Sequence, residues 1–229
     1  MGNHDTAFGP SLSSKMLSRF VKAFGELNTI HSFANESFLV LNSMALEDNV
    51  DAKIASSTLE YLTSLAVIRK TQGYPPLYLL LHIPLFRNND KECGRERSLE
   101  RGHVTYEDPS FEYESGHHVL SQNASIRIMD MLKPTYVFSG HTHAICRYHH
   151  ATYNVNEYTV PAFSWGMRPD PSLALATLHD GKASIHNCAL PDERHVFCVY
   201  GIAIISILFV VVRKIGFTTT VQRQVKKVE

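Results

Sequence analysis

Past its midpoint, the 229-residue chain contains the octapeptide Tyr136-Val137-Phe138-Ser139-Gly140-His141-Thr142-His143. Its first four residues are apolar or small, a pattern typical of a strand that is buried on both faces. A glycine then interrupts the strand, and two imidazoles separated by one residue follow it. Imidazole is the commonest side-chain metal ligand near neutral pH. The octapeptide therefore predicts a buried strand with a candidate metal site at its carboxyl end.

Strand and helix signals alternate on both sides of the octapeptide. The apolar run Leu77–Leu81 predicts a second buried strand, with His82 at its end. The alternation predicts a layered α/β fold in which polar residues gather at the carboxyl ends of strands. The other predicted elements are a strand at Phe38–Leu41, helices at Lys15–Phe24, Val50–Lys70 and Ser121–Leu132, and a hairpin in which Asp180-Gly181 joins Leu173–Leu178 to Ala183–His186.

Residues 87–117 differ from the rest of the chain. They are polar and charged, with few aliphatic side chains. Such a composition favours an exposed loop or lid.

Charge and cysteine content exclude several classes of function. The 22 basic and 22 acidic residues cancel, so no global field draws the chain to nucleic acid, and we expect no nucleic-acid partner. The four cysteines include no C-x-x-C pair, so neither a zinc knuckle nor a thioredoxin motif is present. Cys146 follows His143 closely and is a candidate for a disulfide, but the sequence leaves its partner open.

Residues Val196–Val212 form an uncharged, apolar run near the carboxyl end. As a helix this run covers about 25 Å, close to the roughly 27 Å hydrocarbon thickness of a thin bilayer. A buried core element is the alternative, but the flanking charges favour a helix that spans a membrane. Basic residues concentrate in the segment 213–229, which predicts a cytosolic tail. Residues 1–190 are then expected to form a luminal domain.

Short motifs in the sequence predict where in the cell this membrane protein lies. The chain ends in Lys226-Lys227-Val228-Glu229, which resembles the di-lysine retrieval signal that coat or cargo-receptor machinery reads. Asn35 and Asn123 each open an N-x-S/T triplet, the glycosylation acceptor of secreted proteins. Together with the apolar run, these motifs predict a single-pass protein of the endoplasmic reticulum and cis-Golgi membrane.

Three histidine-containing blocks occur in order along the chain. They are Gly2-Asn3-His4-Asp5, Leu81-His82-Ile83-Pro84 and Gly140-His141-Thr142-His143. Jointly they resemble the last three blocks of the calcineurin-like metallophosphoesterases. Glycine in such a block lets the backbone approach a metal without a Cβ clash. The mixture of oxygen and nitrogen donors suits divalent Mn, Fe or Zn.

The resemblance implies a role for five residues. Asn3, His82 and His141 would bind one of two divalent metal ions, and His143 would contribute to the other. His4 would be the catalytic histidine, which stabilises charge and protonates the leaving oxygen. The implied fold is a partial metallophosphoesterase sandwich, in which mixed sheets are flanked by helices and the first strands are missing.

Further similarity points to one subgroup of this family. The metallophosphoesterase 1 subgroup, which contains GPI-anchor ethanolamine-phosphate phosphodiesterases, is similar at Asn42-Ser43, His149-His150 and Val160–Trp165. The resemblance implies hydrolysis of a phosphodiester that links ethanolamine to a mannose of the GPI glycan, with manganese as the expected metal. The glycan of a GPI-anchored protein would be the substrate partner. His149 and His150 are candidate substrate-binding residues. Trp165 is expected to be a packing anchor, with glycan stacking as the alternative.

The sequence departs from the family pattern in its carboxylates. The family blocks D-x-H and G-D-x-x-D bind the first metal and bridge both metals, and neither occurs in this sequence. Two dipositive ions about 3.5 to 4 Å apart repel by on the order of 19 kcal/mol at an effective dielectric of 20. Neutral Asn and His donors do not offset that repulsion, so we expect this chain to hold at most one ion.

Three interpretations follow from this departure. The first is an incomplete chain, inactive alone, of a full phosphodiester hydrolase. The second is a shortened non-catalytic isoform that acts as a luminal binding or regulatory membrane protein. The third is a membrane receptor or cargo adaptor that uses residues 87–117.

Overall fold

A six-stranded mixed sheet organises residues 1–189 of the computed structural model, which describes residues 1–33, 36–99, 108–168 and 170–225. The strands are β1 (Thr29–Phe33), β2 (Glu36–Val40), β3 (Leu77–Leu80), β4 (Tyr136–Ser139), β5 (Cys146–His150) and β6 (Val155–Thr159). Their order across the sheet is β1-β2-β3-β4-β6-β5. The four central strands are parallel, and each outer strand is antiparallel to its neighbour. The last residues of β2, β3, β4 and β6 therefore lie along one side of the sheet, here called the carboxyl edge.

Helices supply the main core against this sheet. Leu62 of the longest helix in residues 1–189 is fully buried in one cluster with Leu79 of β3 and Val137 of β4. Two of the helices begin where a polar side chain caps them. The Asp51 carboxylate accepts from the N–H groups of Lys53 and Ile54, and the Ser121 hydroxyl oxygen accepts from the Ala124 N–H. The helices of this unit are α1 (Asn3–Thr6), α2 (Ser14–Phe24), α3 (Ala52–Thr71), α4 (Gly94–Leu99) and α5 (Gln122–Leu132).

A hairpin contributes a second, smaller core. β7 (Ser172–His179) and β8 (Lys182–Ala189) pair as an antiparallel ribbon, and the turn residues Asp180 and Gly181 both have positive φ. Ile185 of β8 packs with Tyr158 and Ile145. Because the strands of the sheet alternate their side chains between two faces, the helical core and the hairpin core use different residues of the same strands. The result is a layered α/β fold consistent with a partial metallophosphoesterase fold, as the sequence predicts.

The predicted elements are confirmed with small shifts at their ends, and three strands are additional. β2, β3, β4, the helices α2, α3 and α5, and the hairpin around Asp180-Gly181 all occur where the pattern indicates. β1, β5 and β6 carry too many polar residues to stand out as buried strands. The block around Asn3 belongs to the short helix α1.

The expectation that residues 87–117 are exposed is wrong for three charged side chains. Arg87, Asp90 and Arg97 are buried. The Asp90 carboxylate accepts hydrogen bonds from Arg87 Nε at 2.9 Å, Arg97 Nε at 2.8 Å and the Tyr113 hydroxyl at 2.7 Å. Burying these charges is tolerable because each is paired through Asp90. Residues 100–107 of the predicted loop lie outside the described residues.

A disulfide fixes this segment to the sheet. Cys93 pairs with Cys146, the first residue of β5, which answers the question that the sequence leaves open. The backbone N–H of Arg147 donates to the Cys93 carbonyl at 3.0 Å, and its side chain forms an ion pair with Glu96 at 2.7 Å. The segment thereby covers the outer side of β5, where unpaired backbone groups would invite aggregation.

Residues 190–229 form the second unit, which consists mainly of one helix. α6 runs over Glu193–Val225. Its part Glu193–Gly216 is long and apolar enough to cross a membrane, and none of that part is buried within the protein. The span predicted at Val196–Val212 falls inside it. Lys226 and Lys227 of the predicted retrieval signal, and Asn35, lie outside the described residues.

The buried charge cluster yields a stability prediction. Asp90→Ala leaves two buried guanidinium groups without their shared carboxylate, so we expect the free energy of unfolding to fall by about 3 to 5 kcal/mol. Urea denaturation of the full chain in detergent, followed by near-ultraviolet circular dichroism, measures this loss. The control is Asp48→Ala, which removes an exposed carboxylate and should change stability by no more than about 0.5 kcal/mol. Equal losses in the two variants would contradict the assigned role of Asp90.

Candidate metal centre

Backbone pairing continues beyond β3 and β4 and brings two predicted ligands together. The Leu81 N–H donates to the Phe138 carbonyl at 2.8 Å, and the Gly140 N–H donates to the His82 carbonyl at 2.9 Å. The imidazoles of His82 and His141 consequently meet edge to face, with their ring centroids 5.1 Å apart. Residues 59 positions apart in the sequence thus share the carboxyl edge because their strands are parallel neighbours.

The turn that follows β4 holds its two histidines in an unusual backbone conformation. The φ angles of His141 and His143 are 69° and 62°, in the left-handed region that non-glycine residues avoid. Between them, Thr142 is fully buried, and its N–H donates to the Gly140 carbonyl at 2.8 Å. Conformations of this kind cost roughly 1 to 3 kcal/mol each and cluster at functional sites. The turn projects two imidazoles from one short segment, and the left-handed conformation of both residues raises the free energy of the folded backbone by this amount.

The hydrogen bonding of His141 agrees with the predicted role of this residue as a metal ligand. Its Nε2 donates to the backbone carbonyl of His117 at 2.9 Å, because a carbonyl oxygen can only accept. The lone pair of the neutral ring is therefore on Nδ1. Histidines that bind metals usually donate their other N–H to a carbonyl or carboxylate in this way. The Phe8 ring stacks on the His117 ring at 5.4 Å and supports the residue that supplies the carbonyl. No local sequence pattern indicates this contact.

Asn3 and His82 form the second part of the centre. His82 Nε2 donates to Asn3 Oδ1 across 2.7 Å, so the Nε2 proton lies between these two atoms. A divalent ion held by both atoms would take the place of that proton. Gly2 allows the approach, since a Cβ at this position would lie 3.0 Å from Cε1 of His82. A cavity of about 430 Å³, lined by the Asn3 block and the ends of β2 and β3, adjoins the pair.

The electrostatic environment keeps these histidines neutral. Burial, together with the neighbouring His141, lowers the pKa of His82 to about 4. Burial also lowers the pKa of His141 to about 4, although its bond to the His117 carbonyl acts in the opposite direction. Burial, His4 and Arg168 lower the pKa of His143. Neutral imidazole is the form that binds metal, so the donors of Asn3, His82 and His141 suit one divalent ion. The assignment of His143 to a second ion stays a prediction.

Arg168 positions His143 and was missed by the sequence reasoning. This arginine is buried, and its Nη1 donates to the His143 carbonyl at 2.6 Å. The neighbouring Asp170 forms an ion pair with it at 2.9 Å. His4 is exposed and close enough to influence the charge of His143. Asn3 thus contacts His82, which in turn contacts His141, and His4 lies near His143. The roles that the family resemblance assigned to these residues stay predictions, and Arg168 is an added support for His143.

His149 and His150 are not brought to this centre. β5 is antiparallel to β6 and leads away from the carboxyl edge, so His150 lies opposite Val155 at the start of β6. Four residues of strand place it about 13 Å from Cys146. His149 Nδ1 lies 2.9 Å from Asn156 Oδ1, and His150 Nε2 donates to Glu157 at 2.8 Å. Their role in substrate binding stays a prediction that this placement does not favour.

The predicted glycosylation site at Asn123 is accessible in the structure. Asn123 is exposed in the first turn of α5, whereas Ser125 of the same triplet is buried and accepts a hydrogen bond from the Phe86 N–H at 2.8 Å. Its glycosylation stays a prediction.

Sequence comparison relates the chain to known proteins. Metallophosphoesterase 1 of Xenopus laevis is 32% identical over 226 residues that cover 87% of this chain and 54% of that protein. Metallophosphoesterase 1 of Mus musculus is 31% identical over 220 residues, covering 89% of this chain and 54% of that protein. By sequence, this chain is a homologue of the metallophosphoesterase 1 proteins.

The matches cover most of this chain but only about half of each relative. The chain spans about half the length of the curated relatives it matches, with 53% coverage for the Gallus gallus protein, which is 30% identical. No protein-family model matches the chain. The family name implies divalent metal ions and phosphoester hydrolysis, and the neutral oxygen and nitrogen donors at the carboxyl edge agree with the first of these.

Gly2 offers a test of the centre that leaves every ligand in place. In Gly2→Ala the new Cβ would press on the His82 ring, so we expect divalent-metal affinity to fall by roughly ten-fold, the low end for loss of ligand orientation. Gly140→Ala is the matched control, because its Cβ would lie 3.7 Å from the His82 carbonyl oxygen, an ordinary contact. Calorimetric titration with Mn²⁺ compares the two. A weaker effect of Gly2→Ala than of Gly140→Ala would refute the assigned geometry.

Proposed function

We propose that this chain is part of a metal-dependent phosphodiester hydrolase and carries the Asn and His ligands of its metal centre. The observation that supports this most strongly is the orientation of His141, whose Nε2–H is held by the His117 carbonyl while Nδ1 is left for a ligand beside His82. Weak metal binding alone would not identify such a centre, because any exposed histidine can bind a divalent ion. An oriented and strained histidine beside a second half-buried one is much harder to explain without a ligand.

The residues of the chain have separate tasks in the proposed reaction. Divalent ions at such a centre polarise a phosphate oxygen and lower the pKa of water. Asn3, His82 and His141 hold one ion in place, and Arg168 fixes the backbone from which His143 projects. His4 is exposed next to His143, where it can donate a proton to the oxygen that leaves phosphorus.

The proposed substrate and location follow from the subgroup resemblance. We propose that the reaction removes ethanolamine phosphate from the glycan of GPI-anchored proteins, with Mn²⁺ as the metal. The apolar part of α6 supports attachment to a membrane. The basic residues beyond it support a cytosolic tail and a luminal catalytic part, and Lys226 and Lys227 support retrieval from the cis-Golgi to the endoplasmic reticulum.

A second candidate function is a luminal binding or regulatory protein without catalysis. It is favoured by the neutrality of the donor set among the described residues. Asp5 lies in the same block as Asn3, but its carboxylate accepts from the Gly2 N–H at 2.8 Å and caps α1. A centre of neutral donors does not offset the repulsion between two close dipositive ions. The number of bound ions therefore separates the two functions.

Metal content tests the centre independently of activity. We expect the full chain, purified in detergent and equilibrated with Mn²⁺, to bind metal. The His82→Ala variant should lose at least half of the bound metal, because His82 contacts both Asn3 and His141. Inductively coupled plasma mass spectrometry measures the ions per chain. His31→Ala, which removes an exposed imidazole on β1, is the control and should retain all of it. Unchanged metal content in His82→Ala would rule out this centre.

Hydrolysis tests the catalytic role of His4. The protein is expressed from its own locus, so that any coding sequence upstream of Met1 is included, and assayed with a bis-aryl phosphate diester. We expect His4→Ala to keep its metal but to lose about 10² to 10⁴-fold in kcat, the usual contribution of a proton donor. Two ions per chain with this loss support the hydrolase. One ion or none, with no hydrolysis in the wild type, supports the non-catalytic function.

A further inference from the structure

A short turn next to the candidate metal centre exposes three large apolar side chains. This apolar turn consists of residues 163–167, in which Phe163 is 61% exposed, Trp165 44% and Met167 48%. Single exposed apolar residues are normal on soluble proteins, but contiguous groups of them mark interaction surfaces. The turn contains no charged residue.

The apolar turn is held rigidly in this exposed position. The N–H groups of Met167 and Arg168 both donate to the Ser164 carbonyl at 3.1 Å, and the Gly166 N–H donates to the Ser164 hydroxyl oxygen at 3.2 Å. Arg168 fastens one end of the turn to the His143 carbonyl. The Ala162 N–H reaches the same carbonyl at 3.4 Å and fastens the other end. The backbone of the turn is therefore fixed at both ends of the segment that carries the exposed side chains.

Chain connectivity keeps the apolar turn within reach of a bilayer. The Ser172 N–H donates to the Ala162 carbonyl at 3.2 Å, and Ser172 pairs with Ala189, the last residue of β8. Only four residue steps separate Ala189 from Glu193, where the helix that could cross a membrane begins. Four steps span at most about 14 Å. The connection is therefore short enough for the turn to reach a bilayer that this helix crosses.

We propose that the apolar turn inserts into the interfacial region of the bilayer that α6 crosses. Tryptophan and other amphipathic or apolar side chains favour the level of the lipid headgroups, where an apolar ring and a polar edge are both accommodated. A glycan platform is less well supported, because the hydroxyl of Ser164, the turn's one polar side chain besides the indole N–H, already accepts from the Gly166 N–H.

The single tryptophan of the chain makes this proposal directly testable. The full chain is reconstituted in phosphatidylcholine vesicles, so that all indole fluorescence arises from Trp165. We expect emission shifted to the blue, quenching by lipids brominated near the glycerol backbone, and protection from aqueous iodide. In Phe163→Ser/Met167→Ser, quenching by brominated lipid should fall at least two-fold and iodide access should rise. The control Val67→Ser/Ile126→Ser removes two exposed apolar side chains from α3 and α5 and should match the wild type.

Three results would overturn the proposal. The first is equal access of iodide to Trp165 in vesicles and in the urea-unfolded chain, without quenching by brominated lipid. The second is protection that disappears when the protein is diluted with excess lipid, which would indicate contact with a second copy of the chain. The third is a double variant that folds, as judged by circular dichroism, and shows unchanged quenching. None of these measurements depends on metal binding or hydrolysis, so the outcome is independent of the proposed function.

Discussion

The hydrogen bond from the Gly140 N–H to the His82 carbonyl is the contact on which the candidate centre depends. It extends the parallel pairing of β3 and β4 by one rung past the end of the strands and so fixes the register of the two histidine blocks. In a strand, a shift of one residue would turn every side chain to the opposite face. The apolar runs Leu77–Leu80 and Tyr136–Ser139 are buried between the helices and the hairpin, and this burial holds the register in place.

Sequence reasoning predicted the parts of this arrangement that depend on local pattern. The two apolar strands ending in histidine were recognisable, and parallel neighbours necessarily end at the same edge, so His82 and His141 could be expected to meet. β5 could not be found in this way, because Arg147, His149 and His150 make it read as a polar loop. The supports of the centre, the His117 carbonyl and the Arg168 side chain, come from distant segments and have no local signature.

The error over residues 87–117 has a specific physical cause. Charged residues are usually exposed, since burial of an unpaired charge is costly, and a segment rich in them reads as solvent-facing. Asp90 reverses that expectation, because one carboxylate accepts hydrogen bonds from two guanidinium groups and a tyrosine hydroxyl at the same time. Pairing of this kind depends on where the chain folds back on itself. The disulfide between Cys93 and Cys146 then joins the segment covalently to the strand that follows the histidine turn.

The path of the chain through the candidate centre couples ligand binding to folding. Asn3 and Phe8 come from the amino-terminal segment, His82 from the end of β3, and the His117 carbonyl and His141 from still later segments. An unfolded chain holds none of these groups together, so an ion recognised by this geometry binds only the native state. Such a ligand at one hundred times its dissociation constant adds about 2.7 kcal/mol to the stability of the native state. The supply of free metal in the compartment where the chain matures would therefore help to set how much of it survives quality control.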